Sequence, residues 1–223
     1  MKNVLLSGAS GGLGLHLAKK LLEENYFVIL HYYQNASEVL KLHQEYPDQT
    51  ICIQADLRNE EEIYKIQKFL KNKNIFLDVL INNAAIDHVS DLDKKDFSTF
   101  LNVFSLNTLA PFLLMKLFGN EINERSGAIV NISSDNTLDK YDPRTMEYDV
   151  SKSGLNILAK DFALEYQNAH INTLLFGWLD TPMNDIPEDM KKFISFVSLD
   201  RAVDEILKMI NSKETGKVKV IQK

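Results

Sequence analysis

Short apolar runs alternate with longer amphipathic segments along the whole chain, and this alternation restricts the fold more than any other feature. Several of the apolar runs show no polar alternation, which is typical of strands buried on both faces of a parallel sheet. The predicted strands are Asn3–Leu6, Phe27–Tyr32, Thr50–Gln54, Val79–Ile81, Ala128–Ile132, Ile171–Phe176 and Val218–Ile221. The segments between them repeat apolar residues at helical spacing. The predicted helices are Leu13–Glu24, Glu60–Leu70, Phe97–Phe118, Glu147–Tyr166 and Arg201–Ile210.

Repeated strand–helix units imply parallel strands with crossover helices on both faces of the sheet. We therefore predict an α/β fold, a Rossmann-like doubly wound sheet of about seven mainly parallel strands flanked by helices. No linker rich in Pro, Gly or Ser interrupts the 223 residues, so a single domain over residues 1–223 is expected. The least regular stretch, Asp180–Leu199, is a candidate mobile loop over a site, and its part Asp180–Phe196 is predicted to close when a ligand binds.

Composition excludes several classes of protein. Acidic residues outnumber basic ones 31 to 25, giving a net charge of −6, whereas a general nucleic-acid binder needs a basic face. One cysteine rules out a disulfide framework and a multi-cysteine zinc site, and the five histidines show no ligand spacing, so no metal is predicted. The sequence shows no signal peptide and no apolar run long enough to span a membrane. We expect a cytoplasmic protein with neither nucleic-acid nor membrane partners.

A glycine-rich turn follows the first predicted strand and opens the first predicted helix. It reads Ser7-Gly8-Ala9-Ser10-Gly11-Gly12-Leu13-Gly14. Glycines let the backbone approach a pyrophosphate, and the free N–H groups of the helix N-terminus favour an anion. Although the spacing is not GxGxxG, the strand–turn–helix context predicts a dinucleotide site.

Tyr148 and Lys152 lie four residues apart on a predicted helix and therefore share one of its faces. A nearby ammonium favours the phenolate and lowers the pKa of a tyrosine, which could then exchange a proton with an alcohol or carbonyl oxygen. Two hydroxyls, those of Ser133 and Ser134, come just after the buried run Ala128–Ile132. Parallel sheets hold their ligands at the carboxyl ends of such strands.

Several motifs taken together resemble the short-chain dehydrogenase/reductase family over nearly the whole chain, most closely its 3-oxoacyl-carrier-protein reductase-like members. The similar segments, in family order, are Ser7–Gly14 (TGxxxGxG), Asp56-Leu57, Asn82-Asn83-Ala84-Ala85 (NNAG), Asn107, Asn131–Ser134, Tyr148–Lys152 (YxxxK) and Phe176–Met183 (PGxxxTPM). Ser7, Ala85 and Phe176 depart from the family pattern, as does the short chain after Met183.

The resemblance implies a catalytic set of Asn107, Ser134, Tyr148 and Lys152. Tyr148 would be the acid/base, Ser134 would orient the substrate oxygen, and Lys152 would hold the nicotinamide ribose and depress the tyrosine pKa. Asn107 would hold a water in a proton relay to Lys152. The alternative for Asn107 is a polar residue that merely satisfies backbone groups.

The resemblance also implies the cofactor-binding residues. They are Ser7, Gly8, Ser10, Gly12, Leu13, Gly14, Asp56, Leu57, Asn83, Ala84, Tyr148, Lys152, Gly177 and Thr181. Asp56 would hold the adenine ring and Thr181 the nicotinamide carboxamide. Asn82 is expected to be structural.

NADP(H) is the favoured cofactor, with NAD(H) possible. No acid stands at the end of the second strand, where Tyr32 falls nearest the ribose, so the element that repels a 2′-phosphate is missing. No Arg or Lys appears in the glycine turn or at Tyr33–Asn35, which leaves His31 and polar groups to meet a phosphate.

The implied activity is reduction of a small-molecule or carrier-bound carbonyl, or oxidation of the alcohol, by a homodimer or homotetramer. A catalytically silent nucleotide-binding regulator of the same fold is the alternative. A sugar-nucleotide epimerase of the extended branch would need a larger carboxyl-terminal domain.

Overall fold

Seven parallel strands form one sheet in the computed structural model, which describes residues 1–138, 141–181 and 188–223. The strands are β1 (Asn3–Leu6), β2 (Phe27–Tyr32), β3 (Thr50–Gln54), β4 (Val79–Asn82), β5 (Ala128–Ser134), β6 (His170–Phe176) and β7 (Val218–Ile221). Their spatial order is β3-β2-β1-β4-β5-β6-β7. The chain therefore reverses direction across the sheet between β1 and β4, which creates a crevice at their carboxyl ends. The predicted parallel α/β sheet is confirmed.

Helices cover both faces of this sheet. They are α1 (Gly12–Glu23), α2 (Ser37–Glu45), α3 (Glu60–Asn72), α4 (Phe97–Phe104), α5 (Ala110–Glu124), α6 (Met146–Glu165), α7 (Glu188–Lys191) and α8 (Leu199–Asn211). One core lies between the sheet and α1, α2 and α8, where Leu17, Leu42 and Ile206 are buried. The other lies under α3, α5 and α6, around Ile66, Met115 and Ala159. Because both faces are covered, the strands read as continuous apolar runs.

Two helical predictions differ from the structure. The polar segment Ser37–Glu45 forms α2, which sequence periodicity missed because only Val39 and Leu42 are buried on it. The single helix predicted over Phe97–Phe118 is α4 and α5 joined by a π-helical turn at Ser105–Leu109. A π-turn inserts one residue into the helical repeat, and such turns occur mostly at functional sites.

The run Phe97–Glu124 is also long and apolar enough to cross a membrane by length and composition, which the sequence analysis did not recognise. Within it, α5 packs against α3 and the strands β4 and β5. Leu114, Met115 and Ile122 of α5 are buried in the core. That burial is typical of a core helix, which has an apolar face for reasons unrelated to lipid.

Candidate active site

The predicted site residues meet at the carboxyl ends of the central strands. The glycine turn follows β1, Asn83 and Ala84 follow β4, and Ser134 ends β5. Because these strands are parallel neighbours in the sheet, their carboxyl ends share one edge. Tyr148 and Lys152, on the first two turns of α6, complete this group over β5.

The glycine turn has the backbone shape that a pyrophosphate site requires. Gly8 and Gly12 have positive φ angles of 69° and 50°, which other residues adopt at a cost. A Cβ on Gly14 would lie 2.0 Å from the carbonyl oxygen of Gly8, so only glycine fits there. No side chain caps α1 at Gly11, and its first turn holds no acidic residue. The positive end of α1 thus stays available to an anion, and a dinucleotide fits.

Ser7 and Asn83 hold this turn in place. The Ser7 hydroxyl accepts hydrogen bonds from the N–H groups of Asn83 (2.9 Å) and Ala84 (3.0 Å). The Asn83 amide donates in return to the carbonyl oxygens of Ser7 (2.9 Å) and Gly8 (3.0 Å). Both side chains are therefore engaged with backbone, and they rigidify the crevice between β1 and β4. Asn82 donates to Asn131 on β5 at 2.8 Å, a structural contact across neighbouring strands.

Tyr148 lies between Ser134 and Lys152. The Lys152 ammonium lies 5.7 Å from the centroid of the Tyr148 ring, and the Ser134 side chain, at the end of β5, is close enough to lower the pKa of the Tyr148 hydroxyl. Lys152 is buried and donates to the Ile132 carbonyl oxygen at 2.8 Å. Its other two N–H groups have no hydrogen-bond partner among the described residues, which suits a group that would bind ribose hydroxyls. Ser133 points to the opposite face of β5, where its hydroxyl is buried without a partner in the described part of the chain.

Burial controls the proton affinities of this pair. It raises the pKa of Tyr148 well above its ordinary value, and the nearby Asp87 carboxylate raises it further. Burial also lowers the pKa of Lys152, to about 8, with Asp87 partly opposing it. The spacing of Tyr148 and Lys152 predicted a lowered pKa for the tyrosine, because an ammonium favours the phenolate, but in the folded chain burial outweighs that effect. At neutral pH the tyrosine is a phenol, the form that donates a proton.

Asn107 lies on the π-helical turn and is fully buried. Its amide accepts from the N–H of Ile86 (3.0 Å) and donates to the carbonyl oxygen of the same residue (2.8 Å). It also donates to the Ser151 hydroxyl on α6 at 3.0 Å. One side chain thus ties the loop after β4 to the helix that carries Tyr148 and Lys152.

Asp87 and Glu147 are parts of the site that sequence reasoning missed. Asp87 follows Ile86, whose backbone is hydrogen-bonded to the Asn107 side chain. The Asp87 carboxylate accepts a hydrogen bond from the N–H of His88 at 2.7 Å. Glu147, directly before Tyr148, is buried and paired with Lys95. The signal for Asp87 was its position just beyond β4, the neighbour of β5 at the same edge. Glu147 carried no such signal, because its partner is brought to it only by the fold.

The adenosine end of the site is formed after β2 and β3. Asp56 is paired with Arg58 at 2.6 Å, and Leu57 is buried. His31, offered by the sequence as a phosphate contact, is buried with its ring between the N–H of Gly8 (3.1 Å) and the carbonyl oxygen of Ala55 (3.0 Å). It is therefore a structural histidine, and that expectation was wrong because both ring nitrogens are engaged by backbone groups that follow β1 and β3.

Gly177 and Thr181 follow β6 at the same edge. The N–H of Gly177 donates to the Ile221 carbonyl oxygen at 3.0 Å. The N–H of Thr181 donates to the Leu179 carbonyl oxygen at 2.9 Å. Pro182 and Met183 of the predicted PGxxxTPM match, together with residues 184–187 of the predicted closing loop, lie outside the described residues. Among the residues that the structure describes, no three metal-ligating side chains come close enough to hold an ion.

Comparison with known proteins agrees with this geometry. The model of the short chain dehydrogenase family matches residues 2–191. A 7alpha-hydroxysteroid dehydrogenase of Paraclostridium sordellii is 31% identical over 214 residues, covering 90% of this chain and 79% of that protein. A 3beta-hydroxysteroid dehydrogenase of Eggerthella lenta is 27% identical over 190 residues, covering 82% and 72%.

Solved structures share the whole fold. A 4-hydroxyisoleucine dehydrogenase complexed with NADH has a TM-score of 0.91 at 26% identity, covering 100% of this chain and 97% of that one. A gluconate 5-dehydrogenase of Burkholderia cenocepacia, in complex with NADP and tartrate, has a TM-score of 0.89 at 17% identity and covers 99% and 93%. The second likeness concerns the fold alone.

The chain belongs to the short-chain dehydrogenase family. It is an NAD(P)-dependent oxidoreductase that acts on CH–OH and C=O groups.

Proposed function

We propose that Tyr148 is the acid/base of a reaction that interconverts a carbonyl and an alcohol. The observation that supports this most is the position of its ring, whose centroid lies 5.7 Å from the buried Lys152 ammonium, with the Ser134 side chain beside it at the end of β5. When bound, the nicotinamide cofactor supplies or accepts the hydride. Tyr148 would donate its proton to the carbonyl oxygen, which Ser134 orients, and Lys152 would hold the ribose. Asn107 joins the loop after β4 to helix α6. It is also our candidate for holding a water in the proton relay to Lys152.

The cofactor would lie across the crevice between β1 and β4. The glycine turn, including Ser10 and Leu13 beside its glycines, would receive the pyrophosphate, Asp56 the adenine, and Gly177 and Thr181 the nicotinamide side. We favour NADP(H) over NAD(H), because no acid stands at the end of β2 to repel a 2′-phosphate.

The substrate assignment is a carbonyl on a small molecule or a carrier, of the 3-oxoacyl-carrier-protein reductase-like kind. In this assignment residues 1–223 act as one domain, in the cytoplasm, as a homodimer or homotetramer. The relatives named above act, by their names, on hydroxysteroids and 4-hydroxyisoleucine. A test panel should therefore contain a 3-oxoacyl thioester, a ketosteroid and a small oxo acid.

The test is loss of reduced-nicotinamide absorbance over that panel with NADPH and with NADH. We expect turnover of at least one carbonyl, with a modestly higher kcat/KM for NADPH.

Tyr148→Phe keeps the ring and removes the hydroxyl, so it should lower kcat by about 10²- to 10⁴-fold while cofactor affinity changes little. Exposed Tyr141→Phe is the matched control. A Tyr148→Phe enzyme that keeps half of the wild-type kcat would refute the assigned role. Cofactor binding without any turnover would favour the silent regulator.

A further inference from the structure

The end of β2 is where a sheet of this kind meets the adenosine ribose, and here it carries two tyrosines and no cation. Tyr32 ends β2 and Tyr33 follows it. The segment after β3 is joined to this place by backbone and side-chain contacts. The N–H of Ala55 donates to the Tyr32 carbonyl oxygen at 3.1 Å. The side-chain amide of Gln54 donates to the Tyr33 carbonyl oxygen at 3.0 Å. Residues that follow β3 therefore lie beside the ribose end of β2.

Arg58 is brought to this place by that junction. Its guanidinium carbon lies 5.2 Å from the centroid of the Tyr33 ring. Its Nε and Nη2 donate to the two carboxylate oxygens of Asp56 at 2.8 and 2.6 Å, and its Nη1 donates to Asn102 at 2.8 Å. The side chain is thus preorganised on a loop by contacts to three partners, although the residue itself is exposed.

The chemistry of this arrangement suits a phosphate monoester. A guanidinium has five N–H donors in a planar fork that matches phosphate geometry, and three of them are used here by Asp56 and Asn102. The charged groups nearby are Asp56 itself and, along the groove beside β3, Glu62 and Lys65. Because Asp56 offsets part of the Arg58 charge, the attraction for a dianion is moderated and a modest selectivity is expected.

Building on the proposed nicotinamide function, we infer that Arg58 is the residue that selects the cofactor, by donating hydrogen bonds to a phosphate on the 2′-oxygen of the adenosine ribose. Asp56 and Tyr33 act as positioning residues that hold the guanidinium there. The fold supplies from the end of β3 the cation that is missing after β2.

The test compares two fragments of the cofactor, adenosine 2′,5′-bisphosphate and adenosine 5′-monophosphate, by isothermal titration calorimetry. The measured quantity is the ratio of their Kd values, which isolates the 2′-phosphate from the adenine and 5′-phosphate contacts. Wild-type protein should bind the bisphosphate more tightly. Arg58→Gln should remove most of that preference and bring the ratio of the two Kd values close to one, because its amide carries no charge and no planar fork of donors. Arg58→Lys, which keeps the charge and loses the fork, should fall between the two.

Lys41→Gln is the matched control. Lys41 is an exposed cation on α2, paired with Glu38, and its loss should change the ratio by less than about twofold since exposed charges are screened. A ratio unchanged in Arg58→Gln overturns the inference, whether both affinities persist or both fall equally. A wild-type protein that binds the two fragments equally well overturns it too. Failure of the carbonyl panel, with the Arg58 effect on binding intact, would instead contradict the proposed function alone.

Discussion

At the scale of single residues, buried polar side chains determine the shape of the cofactor crevice. His31 is the clearest case, because its ring joins β2 to the glycine turn and to the end of β3. Accepting from the Gly8 N–H requires an unprotonated Nδ1, and the other ring nitrogen then donates to the Ala55 carbonyl oxygen. The neutral ring is therefore part of the folded structure, and a proton added to it would remove the acceptor.

This position predicts a loss of stability in mild acid. Burial lowers the pKa of folded His31 from 6.5 to about 4. Between those pH values the unfolded chain binds a proton that the folded chain does not, so the free energy of unfolding falls as the pH falls from about 6.5 to 4. The loss attributable to His31 is about 3 kcal/mol at most.

Urea titrations at pH 7.5 and pH 4.5 measure this acid-induced fall in the free energy of unfolding. His31→Gln should show a smaller difference between the two pH values than the wild type does. The exposed His16→Gln variant, whose side chain is 42% exposed, is the control and should behave like the wild type. An acid-induced loss as large in His31→Gln as in the wild type would show that other groups cause it.

At the scale of elements, the first strand–turn–helix unit has the tightest steric constraint. Gly11 and Gly14 are three residues apart, yet their surroundings differ completely. A Cβ on Gly14 would clash with the Gly8 carbonyl oxygen, whereas one on Gly11 would have no neighbour within 4 Å. The close approach at Gly14 brings the turn against α1 and positions the helix N-terminus for the pyrophosphate.

We therefore predict that, of two substitutions in this turn, only one lowers the stability of the fold. Gly14→Ala should lower the free energy of unfolding by about 1–3 kcal/mol, the usual cost of overpacking, even though alanine is the better helix former. Gly11→Ser adds a larger side chain in open space and should change stability by less than about 0.5 kcal/mol. Urea denaturation of the cofactor-free protein decides this. Equal stability of the two variants would mean that the turn relaxes around the new methyl group.

At the scale of the whole molecule, α4 and α6 expose large apolar side chains on their outer faces. Val150, Ile157 and Leu164 recur every seventh residue along α6 and are 44%, 62% and 76% exposed. Phe97 and Leu101 of α4 are exposed as well, and α4 packs beside α6. An apolar stripe of this kind on two adjacent helices favours burial against another surface. A symmetric contact between two copies would cover it on both.

Light scattering on size-exclusion chromatography tests this. We expect a mass two or four times the 25.5 kDa of one chain. Ile157→Glu places a charge in the middle of the stripe and should shift the protein toward the monomer. Leu40→Glu, on an exposed leucine of α2 away from the stripe, should leave the mass unchanged. A wild-type mass of 25.5 kDa at micromolar concentration would contradict the prediction.

Local pattern was enough to predict much of this protein. Apolar periodicity determined the seven strands and most of the helices, because strand and helix repeats are properties of neighbouring residues. Four-residue spacing placed Tyr148 and Lys152 on one helical face, and the turn after β1 was readable from its glycines. The apolar pattern was insufficient for α2, because that helix buries only two side chains. It was also insufficient at Ser105–Leu109, because a π-helical turn interrupts the 3.6-residue repeat there.

Only the tertiary structure decided the contacts between residues far apart in the chain. It turned His31 into the interior, and it placed Tyr148 where desolvation and the charge of Asp87 raise its pKa instead of lowering it. It also placed Arg58 over Tyr33, where the sequence after β2 shows no cation. The physical reason is common to all of these: burial and through-space charge depend on which strands become neighbours, and no local repeat records that order.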